Sequence, residues 1–473
     1  MNPVPRCCDP DMTSPPESVR RRKPRGILFL AAWGLLCAAC FAGEITVRVE
    51  GMGPGRAGLS ALSGEKLSFL DSVSSAEGGV FTFALPPSTP HGLYRLAWAR
   101  NRWVDLVYDG MDAEIATRAS SPPESLKILR SGSNRLYYEF RRRNREYKTR
   151  SEILQLVLAR YPQGDPYYAV SRAAAASLQD EYGAFIRSAC AADPRSFVSR
   201  YIRSAQLPVV DLTLPLEAQL AHLKVHALDS VDFADEALVR SDLFTAKAIE
   251  YLTYYRNPQL SREILEKAFL EAVDTLLHRA RVQPAVYRHM TGYLVDGFRQ
   301  FGFEGCVDYI LENYVIKDDL CLDEASGSTV RRMVDQKKLL PAGAVVSEIL
   351  LPDTSGEAVS LSEVRAERVL ILFFSTSCPH CRAMIPRLKE MLRGRAPAAL
   401  AVLAVSLDDS VGTWLDYVRS NALPWRNVID TQGWGGRPAA DYHIYATPTM
   451  FLVDRERKII GKPMTIEELA RLL

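Results

Sequence analysis

The chain has 473 residues, and its 58 basic and 56 acidic side chains leave a formal net charge of only +2. This balance argues against a nucleic-acid-binding protein, whose affinity depends on clustered cationic side chains. Hydrophobic residues make up 47% of the chain, which is ample for buried cores, and the length predicts about three domains.

The first segment, residues 1–42, is predicted to be a signal peptide. Five basic residues within 20–25 precede the apolar run 26–42, and small residues just ahead of Gly43 suit cleavage there. Two alternatives are a retained signal anchor, since the run approaches the ~18 residues of a membrane helix, and a lipoprotein acylated at Cys40. All three place the protein in the periplasm or cell envelope of a bacterium, and the alternatives also anchor its N-terminus to the membrane.

Residues 44–132 are predicted to form a small all-β domain, either a sandwich or a barrel. Short segments with alternating or continuous apolar residues are separated by turn residues, mainly glycine. The predicted strands include 45–49, 80–83, 93–98 and 104–108. The domain carries no recognisable set of catalytic residues.

Residues 133–337 are predicted to be helical throughout. Apolar side chains recur at helical spacing, for example at Phe244, Ala248 and Tyr251, and prolines divide the segment into helices of ordinary length. We expect this segment to act as a spacer and partner surface, with a linker at 337–341.

Two histidines in the helical segment, His222 and His226, lie on one helical face. Asp229 or Asp232 would be the candidate third ligand of a metal site. A histidine pair without a clear third ligand is usually structural, so we expect neither a metal nor a cofactor.

The most informative feature is the sequence Cys378-Pro379-His380-Cys381, which follows the apolar stretch 369–374 and precedes a helical pattern. Two cysteines at this spacing can close a small disulfide ring. At a helix start the first sulfur faces the helix dipole and unpaired N–H groups, which stabilise a thiolate. Zinc sites use the same spacing, but no second cysteine pair follows, so a redox-active Cys378–Cys381 disulfide is the stronger interpretation.

Further along the chain, Thr447 and Pro448 lead into a predicted strand at 450–453. With the cysteine pair, this pattern resembles the TlpA/ResA-like branch of the thioredoxin superfamily, the envelope thiol-disulfide oxidoreductases, over residues 340–473. The resemblance implies a C-terminal α/β thioredoxin fold in which Pro448 is cis, a trans proline at an edge strand being the alternative. It also implies that Thr447 and Pro448 support the site by pairing with the backbone of a partner protein.

The order of motifs from the strand that ends near Gly51 to Gly132 and Ser133 resembles the small β-domain of unknown function that often precedes such domains in bacterial envelope proteins. The fold class implied for the chain is therefore multidomain: a small all-β domain, an all-α middle segment and a C-terminal α/β thioredoxin fold.

The middle residues of the cysteine pair, Pro379 and His380, resemble those of DsbA rather than TlpA. In that setting His380 lowers the pKa of Cys378 and shifts the couple toward an oxidant, whereas the TlpA-like resemblance suggests a reductant. The direction of electron flow stays open. A partly exposed turn histidine without this effect is the alternative.

Two positions depart from the family pattern. Leu372 stands where thioredoxins keep a buried aspartate, and Met384 stands where the ResA type keeps a glutamate. Cys381 is therefore expected to exchange its proton with water, with Glu390 or Asp430 if either folds close, or with no such group.

A peroxidase of the related peroxiredoxin type is not expected. Ser375 satisfies that pattern three residues before Cys378, but Ile371 stands where a proline is needed.

Three further cysteines follow residue 42. Cys306 and Cys321 are close enough in sequence to form a disulfide, and free buried thiols are the equal alternative. Cys190 is expected to lie in a core.

These features predict a cell-envelope thiol-disulfide oxidoreductase, in which Cys378 attacks and Cys381 resolves the mixed disulfide. Its expected partners are proteins with cysteines or disulfides and a membrane electron donor or acceptor. The alternative is an envelope binding or assembly scaffold whose thioredoxin-like domain is mainly structural.

Overall fold

A computed structural model describes residues 43–75, 78–318, 320 and 324–473, with side chains from residue 330 onward in the last range. Contacts divide the chain between Tyr314 and Val315 into two compact units. The predicted export segment and Cys321 lie outside the described residues. Within the described part of the chain, no helix combines the length and apolar character needed to cross a membrane.

The first unit begins with a small β domain, as predicted. Two four-stranded sheets have the strand orders β4-β1-β7-β8 and β3-β2-β5-β6 and share one apolar core, which makes the domain a sandwich. Alternate residues of β1 (Ile45, Val47 and Val49) are fully buried because side chains alternate across a strand. The strands are β1 Gly43–Glu50, β2 Gly55–Ser63, β3 Lys66–Ser75, β4 Val80–Leu85, β5 Gly92–Ala99, β6 Arg102–Tyr108, β7 Ala113–Arg118 and β8 Lys127–Arg130.

The predicted helical segment follows and packs against the sandwich. Its first helix is anchored by Asn134, whose side-chain amide exchanges two hydrogen bonds of 2.8 Å with the backbone of Val107. Gly64 N–H also donates to the Ser241 carbonyl at 2.8 Å. The helices are α1 Gly132–Arg160, α2 Pro166–Ala191, α3 Phe197–Ala205, α4 Leu216–His226, α5 Leu243–Thr253, α6 Arg262–Ala280, α7 Pro284–Gln300 and α8 Glu304–Ile310.

The histidine pair lies at the end of α4. The rings of His222 and His226 are 4.6 Å apart, and His226 Nδ1 lies 2.8 Å from an oxygen of Asp229. Asp229 also accepts a hydrogen bond from Arg279 at 3.1 Å. Among the residues that the structure describes, no group of three or more His, Cys, Asp or Glu side chains has the arrangement of a metal site.

The second unit contains a thioredoxin-like α/β domain. Its five-stranded sheet has the order β13-β12-β11-β14-β15, in which β11, β12 and β13 are parallel and β14 and β15 are antiparallel to their neighbours. The elements are α9 Glu324–Leu339, β9 Leu350–Pro352, β10 Ala358–Ser360, β11 Arg368–Phe374, α10 Pro379–Met391, β12 Leu400–Ser406, α11 Val411–Ser420, β13 Arg426–Ile429, α12 Arg437–Asp441, β14 Thr449–Asp454, β15 Ile459–Gly461 and α13 Ile466–Leu472.

The central strand β11 is buried on both faces, which explains its continuous apolar sequence. Ile371 and Phe373 belong to the core on one face, and Leu372 and Phe374 belong to the core on the other. The carboxyl end of the strand is therefore held at a fixed position in the sheet, directly ahead of the cysteine pair.

The region expected as a linker, 337–341, is ordered in the structure. It contains the last residues of α9 and the turn that follows, and Leu340 is part of a core of the thioredoxin-like domain. Helix α9 belongs to the same unit as this domain.

Candidate active site

The two cysteines of the pair occupy the start of α10. Cys378 is the N-cap residue, and its sulfur accepts a hydrogen bond from the Cys381 N–H at 3.4 Å. Pro379 fills the first helical turn, where its missing N–H has no cost and its fixed φ suits the helix. Both thiols are free, so the structure represents the reduced dithiol.

The two thiols differ in exposure and in acidity. Burial raises the pKa of the Cys378 thiol. Hydrogen bonds from Cys381, the Thr447 side chain and the backbone N–H of His380 lower this pKa by a larger amount, so the net pKa lies below its ordinary value. Cys381 is fully buried, and that burial raises its pKa to about 12. The geometry thus provides one accessible sulfur that ionises readily and one protected sulfur that does not.

The loop ahead of β14 lies against the first sulfur. The Thr447–Pro448 peptide bond is cis, and the Cys378 thiol donates a hydrogen bond to the Thr447 carbonyl at 3.2 Å. The sequence-predicted residues Cys378, Cys381 and Thr447 are therefore together in space, although Thr447 is far away in the sequence.

The side chains of Pro379 and His380 are exposed at the surface beside Cys378. The backbone N–H of His380, at the helix start, is one of the groups that lower the pKa of Cys378. This is the general effect of a helix N-terminus on a thiolate.

Neither of the two carboxylates considered for the proton of Cys381 has a described hydrogen bond to that thiol. Glu390 is exposed and forms an ion pair with Arg393 at 2.9 Å, and Asp430 accepts a hydrogen bond from the Gln432 N–H at 3.0 Å. The carboxylate that binds the loop leading to the cysteines is Asp408, in the turn after β12.

Asp408 is nearly buried and is surrounded by donors from two neighbouring strand ends. It accepts hydrogen bonds from the Ser375 hydroxyl at 2.7 Å, the Thr376 N–H at 3.0 Å and the Ser406 hydroxyl at 2.6 Å. The Ser375 carbonyl in turn accepts from the Cys378 N–H at 3.2 Å. Asp408 therefore fixes the turn between β11 and the cysteine pair. A signal was present in the sequence, because an acidic residue directly after a buried parallel strand lies at the sheet edge that carries functional loops.

Replacing Asp408 by alanine is expected to loosen this turn. The substitution leaves two hydroxyl groups and one buried N–H without their acceptor, a loss of about 2–3 kcal/mol in local stability. Hydrogen–deuterium exchange of the Thr376 amide should accelerate at least tenfold. The neighbouring Asp409 is exposed, so Asp409→Ala is the matched control and should leave this exchange unchanged. Equal rates in the two variants would contradict the assigned role.

The other two described cysteines are buried free thiols. Cys190 Sγ lies 3.5 Å from the Ser199 carbonyl, and Cys306 Sγ lies 3.7 Å from the Glu266 carbonyl. Burial raises the pKa of Cys190 and raises that of Cys306 to about 12. The expectation that Cys190 lies in a core is confirmed.

A pocket of about 1040 Å³ in the thioredoxin-like domain lies beside the start of β12 and is not lined by either cysteine of the pair. Cys378 is instead half-buried at the domain surface. A surface dithiol of this kind suits a reactant that brings its own sulfur to the protein rather than a small molecule held in a deep pocket.

A family model matches part of the second unit, and individual proteins match parts of the chain. Residues 342–462 match the model of the AhpC/TSA family. The thiol-disulfide oxidoreductase ResA of Bacillus subtilis (strain 168) is 24% identical over 26% of this chain and 68% of the relative. ResA of Bacillus cereus (strain ATCC 10987 / NRS 248) is 22% identical over 30% of this chain and 80% of the relative.

A solved structure also matches part of this chain. A thiol-disulfide oxidoreductase from Bacteroides fragilis NCTC 9343 is 27% identical, covers 27% of this chain and 99% of that chain, and has a TM-score of 0.25.

Proposed function

Since residues 342–462 form a thioredoxin-like domain of the AhpC/TSA family with ResA homologues, we propose that this protein is a thiol-disulfide oxidoreductase that exchanges disulfides with partner proteins. The observation that carries the proposal is the asymmetry of the two thiols. Cys378 is accessible with a lowered pKa, and Cys381 is buried with a pKa raised to about 12. An attacking thiol and a protected resolving thiol are the two components that disulfide exchange requires.

In the reducing direction, the Cys378 thiolate attacks one sulfur of a partner disulfide. A mixed disulfide forms, and the other partner sulfur leaves as a thiolate. This thiolate is available to accept the proton of Cys381, which has no carboxylate among the hydrogen-bond partners that the structure describes for it. The Cys381 sulfur then attacks Cys378, releases the partner as a dithiol and leaves a Cys378–Cys381 disulfide. Two electrons pass to the partner, and the same steps in reverse oxidise it.

The site of action that we propose is the bacterial cell envelope. The basic and apolar segment within 1–42 supports it, because it has the composition of an export signal. The couple must then be reset by a membrane electron donor or acceptor. The position of the half-buried Cys378 beside the Thr447 carbonyl favours polypeptide partners, whose backbone can pair with this loop.

Turnover with a disulfide-bonded peptide tests the proposal. In the presence of excess dithiothreitol, the full-length protein should accelerate reduction of the peptide, and hydrogen peroxide should not replace the peptide as the oxidant. The proposed activity would be refuted if the protein accelerated neither the reduction of the peptide disulfide nor the oxidation of the reduced peptide. Catalysed peroxide reduction would indicate the related peroxidase chemistry instead.

A further inference from the structure

Helix α9 lies ahead of the region that matches the family model, yet its side chains bind the chain segment that leads to Thr447. The Gln336 amide donates to the carbonyl of Tyr442 at 3.0 Å and to that of His443 at 3.3 Å. Arg332 donates to the Ile444 carbonyl at 2.9 Å. Three consecutive carbonyls, from residue 442 to residue 444, are therefore bound by two residues of one helix.

The spacing of these two residues explains how one helix can bind three carbonyls. Residues four apart lie on the same helical face, so Arg332 and Gln336 point at the same turn. A second Arg332 nitrogen donates to the Trp434 carbonyl at 3.3 Å, which ties the neighbouring loop to the same side chain. Gln336 is only 5% exposed, so its amide bonds are shielded from competing water.

The bound turn needs this support because its backbone is strained. His443 has φ +48°, a left-handed conformation that residues other than glycine adopt at a cost. The N–H groups of His443 and Ile444 bond back to α12, but their carbonyls point outward to α9. Buried carbonyls without partners are rare in folded proteins, so the turn and the helix depend on each other.

Thr447 follows this turn after only two intervening residues, and its carbonyl is the group that contacts the Cys378 thiol. A displacement of the turn is therefore transmitted to the loop beside the reactive sulfur. We propose that α9 is a positioning element for this loop, and that Arg332 and Gln336 set the affinity of the site for a polypeptide disulfide. This inference rests on the proposed exchange function and adds to it a recognition element outside the matched family region.

Two substitutions in the full-length protein test the role of α9, Arg332→Met and Gln336→Leu. Arg332→Met removes the guanidinium donors and keeps an unbranched side chain. Gln336→Leu removes the amide donor and keeps a side chain of similar size. Arg331→Met is the matched control, because Arg331 is the adjacent, exposed arginine and lies 4.0 Å from Asp335 in its only described ion pair. The substrates are a disulfide-bonded peptide and bis(2-hydroxyethyl) disulfide, which has no backbone to pair with the loop.

We expect both test variants to raise KM for the peptide about tenfold while kcat and the rate with bis(2-hydroxyethyl) disulfide change less than threefold. Amide hydrogen exchange across residues 445–447 should accelerate in both variants and not in Arg331→Met. Equal losses with the two substrates, or unchanged peptide kinetics, would overturn the proposal.

The hydrogen-exchange readout separates this inference from the proposed function. If the wild-type protein reduces neither disulfide, the exchange function fails. Unchanged amide hydrogen exchange across residues 445–447 in both variants would then still refute the positioning role of α9. Accelerated amide hydrogen exchange would retain α9 as a structural link to this loop.

Discussion

Alkylation by iodoacetamide at pH 7 is expected to modify Cys378 at least 100 times faster than Cys381. The pKa of Cys381 is raised to about 12 by burial, whereas the pKa of Cys378 lies below 9.0. The thiolate fractions at neutral pH therefore differ by about 10³ or more, and only part of this factor is offset because a less acidic thiolate is intrinsically more nucleophilic. The complete burial of Cys381 slows its reaction further.

The pH dependence of the alkylation rate shows whether the pKa of each thiol is raised or lowered. Because the pKa of Cys378 is lowered, its alkylation rate should rise with pH around a midpoint below that of an ordinary cysteine thiol. Cys190 and Cys306 are buried thiols with raised pKa values and serve as internal controls that stay unmodified in the folded protein. Equal labelling of the two cysteines of the pair, or a Cys378 profile whose midpoint lies above that of an ordinary cysteine thiol, would contradict the assignment of Cys378 as the attacking thiol.

Replacing Cys381 by serine is expected to trap partner proteins as mixed disulfides on Cys378. The first attack does not need the second sulfur, but release of the partner does, so the covalent intermediate accumulates. Replacing Cys378 by serine removes the nucleophile and should lower peptide turnover on the order of 10³-fold or more.

Non-reducing mass spectrometry after incubation with a disulfide-bonded peptide measures both effects. The Cys381→Ser protein should carry one peptide on Cys378, and the Cys378→Ser protein should carry none. Cys306→Ser, at a buried free thiol, is the control and should turn over normally. A Cys381→Ser protein that accumulates no adduct would refute the two-step exchange.

Much of the fold was predictable because its signals are local. The alternating residues of 45–49 identify a strand by their periodicity. Strand β2 was not predicted, since Gly55, Gly58 and several small residues give it little strand propensity. Its position is fixed instead by pairing with β3 and β5, which the sequence does not display.

The candidate site was predictable where a local signal or a family pattern marks its residues. Cys378 and Cys381 share one helix start, and Thr447 was located by its resemblance to a family pattern. The roles of Asp408 and Gln336 depend on hydrogen bonds to residues 32 and 106 positions away, respectively. The place of Asp408 after a buried strand indicates the edge of the sheet at which it lies, but no local pattern identifies its partners or those of Gln336. Long-range polar contacts of this kind become visible only when the sheet and the preceding helix are assembled.

The reduction potential of the Cys378–Cys381 pair tests the central claim most directly. The full-length protein is equilibrated with glutathione buffers, and the fraction of oxidised pair is determined by alkylation and mass spectrometry. A redox-active couple should titrate in one two-electron step between about −270 mV, as in thioredoxin, and about −120 mV, as in DsbA. A value near the lower limit would indicate a reductant, and one near the upper limit a disulfide donor. A potential below about −300 mV, typical of structural disulfides, would contradict the account and favour the scaffold alternative.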